Sequence, residues 1–473
     1  MSPSEIIRKK FAFAPTAGQE LAFRLLDKFI EDKTSARPVF LLRGYAGTGK
    51  TTLLSALVHT LDSLGYSCIL MAPTGRAAKV MSNYSGKYAS TIHRQIYQQE
   101  KGDGDGLVFR RKKNILSKTF FIVDEASMIS DMAESSSQRI LSDVVDYVFE
   151  KKSNKLILVG DTAQLPPVKL EISPALEGGY LKSKFFANLY ECELTEVVRQ
   201  EMESGILRNA TMLRKKLTEK ASSLEFITKG YKDIYRMTGE KMEDGLRYAY
   251  KKYGEENTIV ITRSNKSATG YNRYIRQTIK AVEDEVSAGD LLMVVKNNYA
   301  TLPEDSPAGF LANGEFVEVM KVKKYEEIHG FRFVHLELRL LDYPKHPTFE
   351  AVAFLDILYS NNASLTTEQN KLLFESVWND YSEVMSKRTR LEAVKKDSYF
   401  TALQVKFAYA LTCHKSQGGQ WDAVFVDQGY LTEENLNEDF LRWLYTAITR
   451  ATKEVFLVNF NARFYGSESS ESL

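Results

Sequence analysis

The chain has 473 residues, 44% of them apolar and 26% charged, with a formal net charge of +2. That length allows roughly three domains, and the apolar share supports more than one packed core, which excludes a disordered chain. Near-neutral charge excludes a uniformly basic nucleic-acid binder, so any such surface must be a local patch.

The chain opens with MSPSEIIRKK, which has no apolar stretch of the kind a secretory signal needs. No apolar run approaches the ~20 residues that cross a bilayer, and a soluble, cytoplasmic protein is expected. Short apolar runs at Val39–Arg43, Ser67–Ala72, Phe120–Asp124 and Lys155–Gly160 read as buried strands. Between the first two, Leu53, Leu54, Leu57, Val58, Leu61 and Leu64 recur at helical spacing. Strands alternating with helices predict a mostly parallel sheet covered on both faces.

Between His93 and Phe120 the segment KGDGDG is followed by Leu107-Val108-Phe109 and Arg110-Arg111-Lys112-Lys113, which predicts a projecting β-hairpin over about 97–118. The α/β pattern returns with strands at Thr258–Thr262, Leu291–Lys296, Phe407–Leu411, Ala423–Asp427 and Glu454–Asn459. It is broken by β-rich material at Phe316–Leu341 and by Thr366–Lys395, a long polar helix or helical pair. The expected domains are 1–200, then 201–319 joined to 406–460, an insertion over 320–405, and a flexible tail over 461–473. Cys68, Cys192 and Cys413 are far apart with no CxxC spacing, so neither a disulfide framework nor a zinc ribbon is suggested. Cys413 beside His414 is read as an inert thiol.

The residues from Gly44 to Thr51 fit a P-loop, and they stand after a strand and before a helix, as a P-loop must. Gly44, Ala46, Gly47, Thr48 and Gly49 would bring backbone N–H groups to phosphate oxygens, with Thr52 in the first helical turn. Lys50 would reach the β- and γ-phosphates of ATP, and Thr51 would hold Mg²⁺. Asp124 and Glu125 end an apolar strand, where Asp124 would complete the Mg²⁺ site and Glu125 would polarise the attacking water. In Gly160-Asp161-Thr162-Ala163-Gln164-Leu165-Pro166-Pro167, Gln164 is placed to sense a γ-phosphate, although a Pro-stiffened surface turn explains the segment as simply.

In order along the chain stand GYAGTGKT, MAPTGRAAK, TIHR, VDEAS, GDTAQLPP, LTEVVRQ, TRSNKSATGYNRYIR, HKSQG and YTAITRA. This ordered set resembles the superfamily 1 DNA helicases of the RecD-like and Dda-like branch, over about Gln19 to Asn459. The resemblance implies an α/β fold of two RecA-like P-loop domains, with an inserted β-hairpin pin and an inserted SH3-like β-barrel carrying a helical arm. It implies ATP in the cleft between the domains, with Gln19 reading adenine and Arg199 and Arg450 as arginine fingers. It places single-stranded DNA against Pro73, Thr74, Thr91 and His93 in the first domain and Asn265, Lys266, Thr412, His414, Lys415 and Ser416 in the second. Phe109 is the pin's stacking candidate, or equally a core residue at the hairpin base. Gln420 departs from the pattern, since many members carry a ribose-binding Glu there.

The activity implied is ATP-driven 5′ to 3′ movement on single-stranded DNA with duplex unwinding at single-strand/duplex junctions, in replication, recombination or repair. Open alternatives are a translocase that strips proteins from DNA, an RNA helicase, or an ATP-gated clamp. A monomer is expected, with a single-stranded-DNA-binding protein or a recombination complex as further partners.

Overall fold

A computed structural model describes residues 1–101, 107–132, 139–198, 203–219, 224–303, 306, 310–343, 346–383, 386–432 and 435–465, with the side chains of 99–109 left out. The first part is a six-stranded parallel sheet in the order Ala89–Thr91, Ser67–Ala72, Thr119–Val123, Lys155–Gly160, Pro38–Gly44, Asn188–Leu194. Its central strands Pro38–Gly44, Thr119–Val123 and Lys155–Gly160 read as nearly unbroken apolar runs because both faces are covered. Phe40 and Leu42 pack under the helices Ala17–Glu31, Lys50–Ser63 and Gly75–Ser85. Their neighbours Val39 and Leu41 pack on the opposite side against Ile140–Phe149 and Gly178–Phe185.

A second parallel sheet has the order Ala410–Thr412, Thr258–Thr262, Trp421–Asp427, Ala451–Val458, Ile234–Met237. The two RecA-like α/β units expected from the motifs are therefore present. The projecting hairpin forms with Tyr97–Lys101 antiparallel to Leu107–Arg111, opposing Gln99 to Phe109. The Phe109 side chain lies outside the described residues.

One sequence expectation is corrected. Leu291–Val294, read as a strand of the second parallel sheet, instead belongs to a five-stranded antiparallel sheet in the order Phe349–Phe354, Phe331–Leu340, Phe316–Ile328, Leu291–Val294, Val405–Phe407. The run 407–411 is split, with Val405–Phe407 closing the antiparallel sheet and Ala410–Thr412 entering the parallel one. Four buried apolar residues in a row look the same in either kind of sheet, so the pattern could not decide. The segment 366–395 is a pair of helices, Thr367–Asp380 and Lys387–Lys396.

The inserted sheet is joined to the second parallel unit by a buried ion pair. The Arg276 guanidinium donates to both oxygens of Asp290, at 3.0 and 2.9 Å, and Tyr409 Oη donates to the same carboxylate at 2.9 Å. Against the first unit, Arg76 lies 4.7 Å over the Phe316 ring and 4.6 Å over Trp421, so one guanidinium binds all three parts. Among the described residues no helix is long and apolar enough to cross a membrane.

Candidate functional site

The strand Pro38–Gly44 runs into the turn 45–49 and then the helix Lys50–Ser63. Gly49 makes this possible: it caps the helix at φ 79°, and a Cβ there would lie 2.6 Å from Gln19 Nε2. Gln19 is buried and braces the turn, its carbonyl oxygen accepting the Thr16 N–H at 2.9 Å and its amide nitrogen donating to the Thr48 carbonyl at 3.0 Å. The Lys50 ammonium donates to the Gly44 and Tyr45 carbonyls at 2.7 and 2.9 Å. Thr51 is exposed and Thr52 half-buried in the first helical turn.

Asp124 and Glu125 follow the strand Thr119–Val123 on the same edge of the sheet. Asp124 accepts from Tyr84 Oη at 2.7 Å and from the Glu125 N–H at 2.8 Å. Glu125 sits at φ 53°, a left-handed conformation that costs a non-glycine residue about 1 kcal/mol or more. Burial pushes the carboxyls of both residues above the usual carboxylate range. The Tyr84 bond and the Lys50 charge oppose this at Asp124, and the Arg450 charge opposes it at Glu125.

The second unit closes the cleft. Arg450 is buried, its Nη1 3.8 Å from Glu125 Oε1 while Nε donates to Thr446 O at 3.1 Å. The 161–165 loop docks on the helix Glu438–Ile448: the Leu165 N–H donates to Thr446 Oγ1 at 2.8 Å and Arg442 donates to the Thr162 carbonyl at 2.5 Å. Gln417 adds a bond to the Leu165 carbonyl at 2.7 Å. Gln164 is buried in this joint, and its amide oxygen has no hydrogen-bond partner among the described residues. Arg199 lies outside the described residues. Arg214, which the sequence did not single out, lies 4.4 Å over the Tyr45 ring at the mouth of the cleft.

Among the described residues there is no cluster of three His, Cys, Asp or Glu side chains fit to hold a metal. One carboxylate and one hydroxyl beside a phosphate-binding turn do fit Mg²⁺, which takes few protein ligands and shares phosphate oxygens. Gln420 is placed differently from the rest: its side chain is exposed, and its carbonyl accepts from Arg76 at 3.5 Å.

A channel of 770 Å³ opens on another side of the same two units. It gathers Pro73, Thr74, Thr91 and His93 from the first unit and His414 and Lys415 from the second, six of the residues that the resemblance assigned to single-stranded DNA. Asn265, Lys266, Thr412 and Ser416 do not line it. Ser416 is turned inward, with its hydroxyl donating to Cys413 O at 2.8 Å. Cys413 itself is buried and its thiol pushed up to about 12, an inert group. The inserted sheet adds Lys296, Asn297, Tyr299 and Asn313, which sequence reasoning missed. The only local hint was a Lys-Asn-Asn-Tyr run directly behind a buried strand. Desolvation holds His93 and His414 below the usual imidazole range and lowers Lys415 to about 8. Gly418, at φ 72°, marks where the two units press together, since a Cβ there would be 2.7 Å from Ala77 Cβ.

A family model described as an AAA domain matches residues 28–229, and one described as a UvrD-like helicase C-terminal domain matches residues 407–458. The ATP-dependent DNA helicase dda of Enterobacteria phage T4 is 26% identical over 94% of this chain and 99% of its own. The RecBCD enzyme subunit RecD of Buchnera aphidicola subsp. Schizaphis graminum is 22% identical over 91% of this chain and 73% of its own. A crystal structure of Pif1 helicase from Bacteroides with ADP-AlF3 and ssDNA aligns at a TM-score of 0.48 and 17% identity, over 96% of this chain and 94% of that one. Both ends of the chain are thus matched in order, the P-loop, Asp124-Glu125 and Arg450 meet in one cleft, and the chain is similar over nearly its whole length to proteins named as DNA helicases and helicase subunits.

Proposed function

We propose that this protein is an ATP-dependent DNA helicase that moves 5′ to 3′ along single-stranded DNA and parts the duplex ahead of it. The observation that carries the reading is the sharing of parts between two clefts. Pro73 and Thr74, just ahead of helix Gly75–Ser85, and His414, Lys415 and Gln417 border the channel, while the 161–165 loop, bonded to Gln417 and Thr446, meets the phosphate turn through Tyr445, which bonds both Asp161 and Ala46. A change in how the two units meet at the phosphates therefore moves the walls of the channel. A relative that aligns over nearly its whole length is named an ATP-dependent DNA helicase.

In the cleft, the amides of Ala46 to Gly49 and the Lys50 ammonium would take the triphosphate, the lysine exchanging two carbonyl oxygens for phosphate oxygens. Mg²⁺, held by Thr51 and Asp124, would supply charge neutralisation at the phosphates. Glu125 orients the attacking water, and burial makes its carboxylate a stronger base than an exposed one. Arg450, already beside Glu125, and Arg199 then neutralise charge developing on the transferred phosphoryl group. Gln164, buried in the joint between the units, reports that group to the second unit. Gln19 holds the adenine side and Gln420 the ribose side.

In the channel, hydroxyls, amides and two uncharged imidazoles hold a strand without reading its sequence. Thr74, Thr91, His93, Asn297 and Asn313 serve the backbone, and Tyr299 offers a ring for base stacking. The hairpin Tyr97–Arg111 acts as the pin at the junction, with Phe109, opposite Gln99, as its stacking candidate, and the antiparallel sheet with its two helices is an SH3-like barrel and arm. For the domain division we keep 1–200, 201–319 with 406–460, and 320–405, with the inserted sheet borrowing the strands at 291–294 and 405–407. The protein works as a monomer in the cytoplasm, with single-stranded-DNA-binding protein as the expected companion.

The test is ATP hydrolysis with and without single-stranded DNA in the parent and in Glu125→Gln. The parent should be stimulated by DNA, and the variant should lose about 10² to 10⁴ in kcat while still binding ATP. Hydrolysis by the variant at the parent rate would remove Glu125 from the chemistry.

A further inference from the structure

Tyr445 joins the two halves of the phosphate cleft through a single oxygen. It stands on helix Glu438–Ile448 of the second unit, with 1% of its surface exposed. Its hydroxyl donates to Asp161 Oδ2 at 2.6 Å and accepts the Ala46 N–H at 2.8 Å. The second of these bonds is the unusual one. Ala46 is in the phosphate-binding turn, where a backbone N–H is expected to be free for an anion, yet here it is filled by a phenol from the other unit. The phenol cannot lose its proton to become a better acceptor, because burial and the Asp161 charge both hold its pKa well above the ordinary tyrosine value.

The Asp161 side of the bridge is fixed independently of Tyr445. Asp161 Oδ1 accepts the Ala163 N–H at 2.9 Å, and the same loop is held to the second unit through Leu165, Thr162 and Gln417. The Ala46 side has no such reinforcement to this helix among the described residues. A phosphate oxygen, charged and multiply coordinated, is a stronger acceptor for that N–H than a neutral phenol. Binding a triphosphate would therefore break the bond to Ala46 and leave the bond to Asp161 in place.

We propose that Tyr445 is a positioning residue that senses occupancy of the phosphate turn: it holds the Ala46 amide in the empty cleft and is displaced from it by nucleotide. Displacement frees helix Glu438–Ile448 on its P-loop side. That helix leads directly into Arg450, and Cys413, beside His414 in the channel wall, donates through Sγ to its Trp443 carbonyl at 3.4 Å. One hydrogen bond thus ties nucleotide occupancy to the channel. The inference rests on the helicase reading of the two clefts.

Tyr445→Phe removes the phenol and keeps the ring that fills the joint. Nucleotide affinity is measured by calorimetry with ADP and with a non-hydrolysable ATP analogue, and KM and kcat are measured with and without single-stranded DNA. Without the competing acceptor, both nucleotides should bind about two- to tenfold more tightly, the size of one net hydrogen bond. Stimulation of kcat by DNA should fall at least about fivefold, because occupancy is no longer signalled. A merely structural role would weaken binding or leave it unchanged, and either result overturns the proposal. The parent protein separates this failure from failure of the helicase reading, since binding is read without turnover and DNA stimulation of the parent is scored on its own. If the variant does not fold, hydrogen exchange of the parent decides. The peptide spanning Ala46 should be protected without nucleotide and stay protected with it, and a turn that exchanges freely when empty would overturn the proposal.

Discussion

Lys415 shows how a single side chain can set a binding property that composition hides. Desolvation in the channel wall lowers its ammonium to about 8, and Lys296 across the channel is lowered for the same reason. A phosphate strand reverses this by stabilising the charged form, so DNA binding takes up a proton above pH 8. Affinity for single-stranded DNA should therefore fall as pH rises from 7 to 9.5, by at most about tenfold per pH unit for each proton taken up. Lys415→Arg, whose guanidinium stays charged throughout, should flatten that profile in a fluorescence-anisotropy titration. A profile unchanged by the arginine would assign the pH dependence to another group. At this scale the phosphate residues were legible in the sequence because their geometry is local: Gly44 to Thr51 are consecutive. Tyr445 was not, because its bond to Ala46 spans 399 positions and nothing in YTAITRA says where the phenol goes.

Between elements, the joint of the inserted sheet with the first unit is built around a buried acid. Glu315 is 1% exposed, its Oε2 accepting the Ala312 N–H at 2.9 Å, and it lies so close to Gly75 that a Cβ there would be 2.8 Å from its Cγ. Burial raises its carboxyl to about 8, with the Asp342 charge adding to the rise and Arg94 opposing it. The folded protein then holds a proton that the unfolded chain gives up near its ordinary value of 4.5, so stability contributed at low pH is lost as pH climbs from 4.5 to 8. Across that window the loss amounts to about 4 kcal/mol. Glu315→Gln should melt at a nearly constant temperature over the window in which the parent declines, as read by thermal unfolding. An equal decline in both would show that Glu315 is not the group responsible. Elements with strong local signals, such as the helix Lys50–Ser63 and the hairpin strands Tyr97–Lys101 and Leu107–Arg111, were legible in advance. The strand Leu291–Val294 was misassigned because its partners, at 316–318 and 405–407, are chosen by non-local pairing. The short edge strand Ile234–Met237 was missed for the same reason, since Ile-Tyr-Arg-Met carries no clear alternation.

Across the whole molecule, two parallel sheets share one phosphate cleft and one channel, and an inserted antiparallel sheet roofs the channel with Lys296, Asn297, Tyr299 and Asn313. Three parts meet at Arg76, held between Phe316 and Trp421, so motion at the cleft is passed on through a joint that resists being pulled apart. The ends of the chain cooperate because Arg450 reaches back to Glu125. Closing on ATP and reopening after hydrolysis should therefore step the protein along one strand in one direction. The most direct measurement is ATP-driven unwinding of matched DNA duplexes carrying either a 5′ or a 3′ single-stranded tail, with Lys50→Ala as the inactive control. Opening of the 5′-tailed duplex alone, lost in the control, is the predicted result. Opening from the 3′ tail would contradict the direction of movement, and DNA-stimulated hydrolysis with neither duplex opened would contradict the helicase itself.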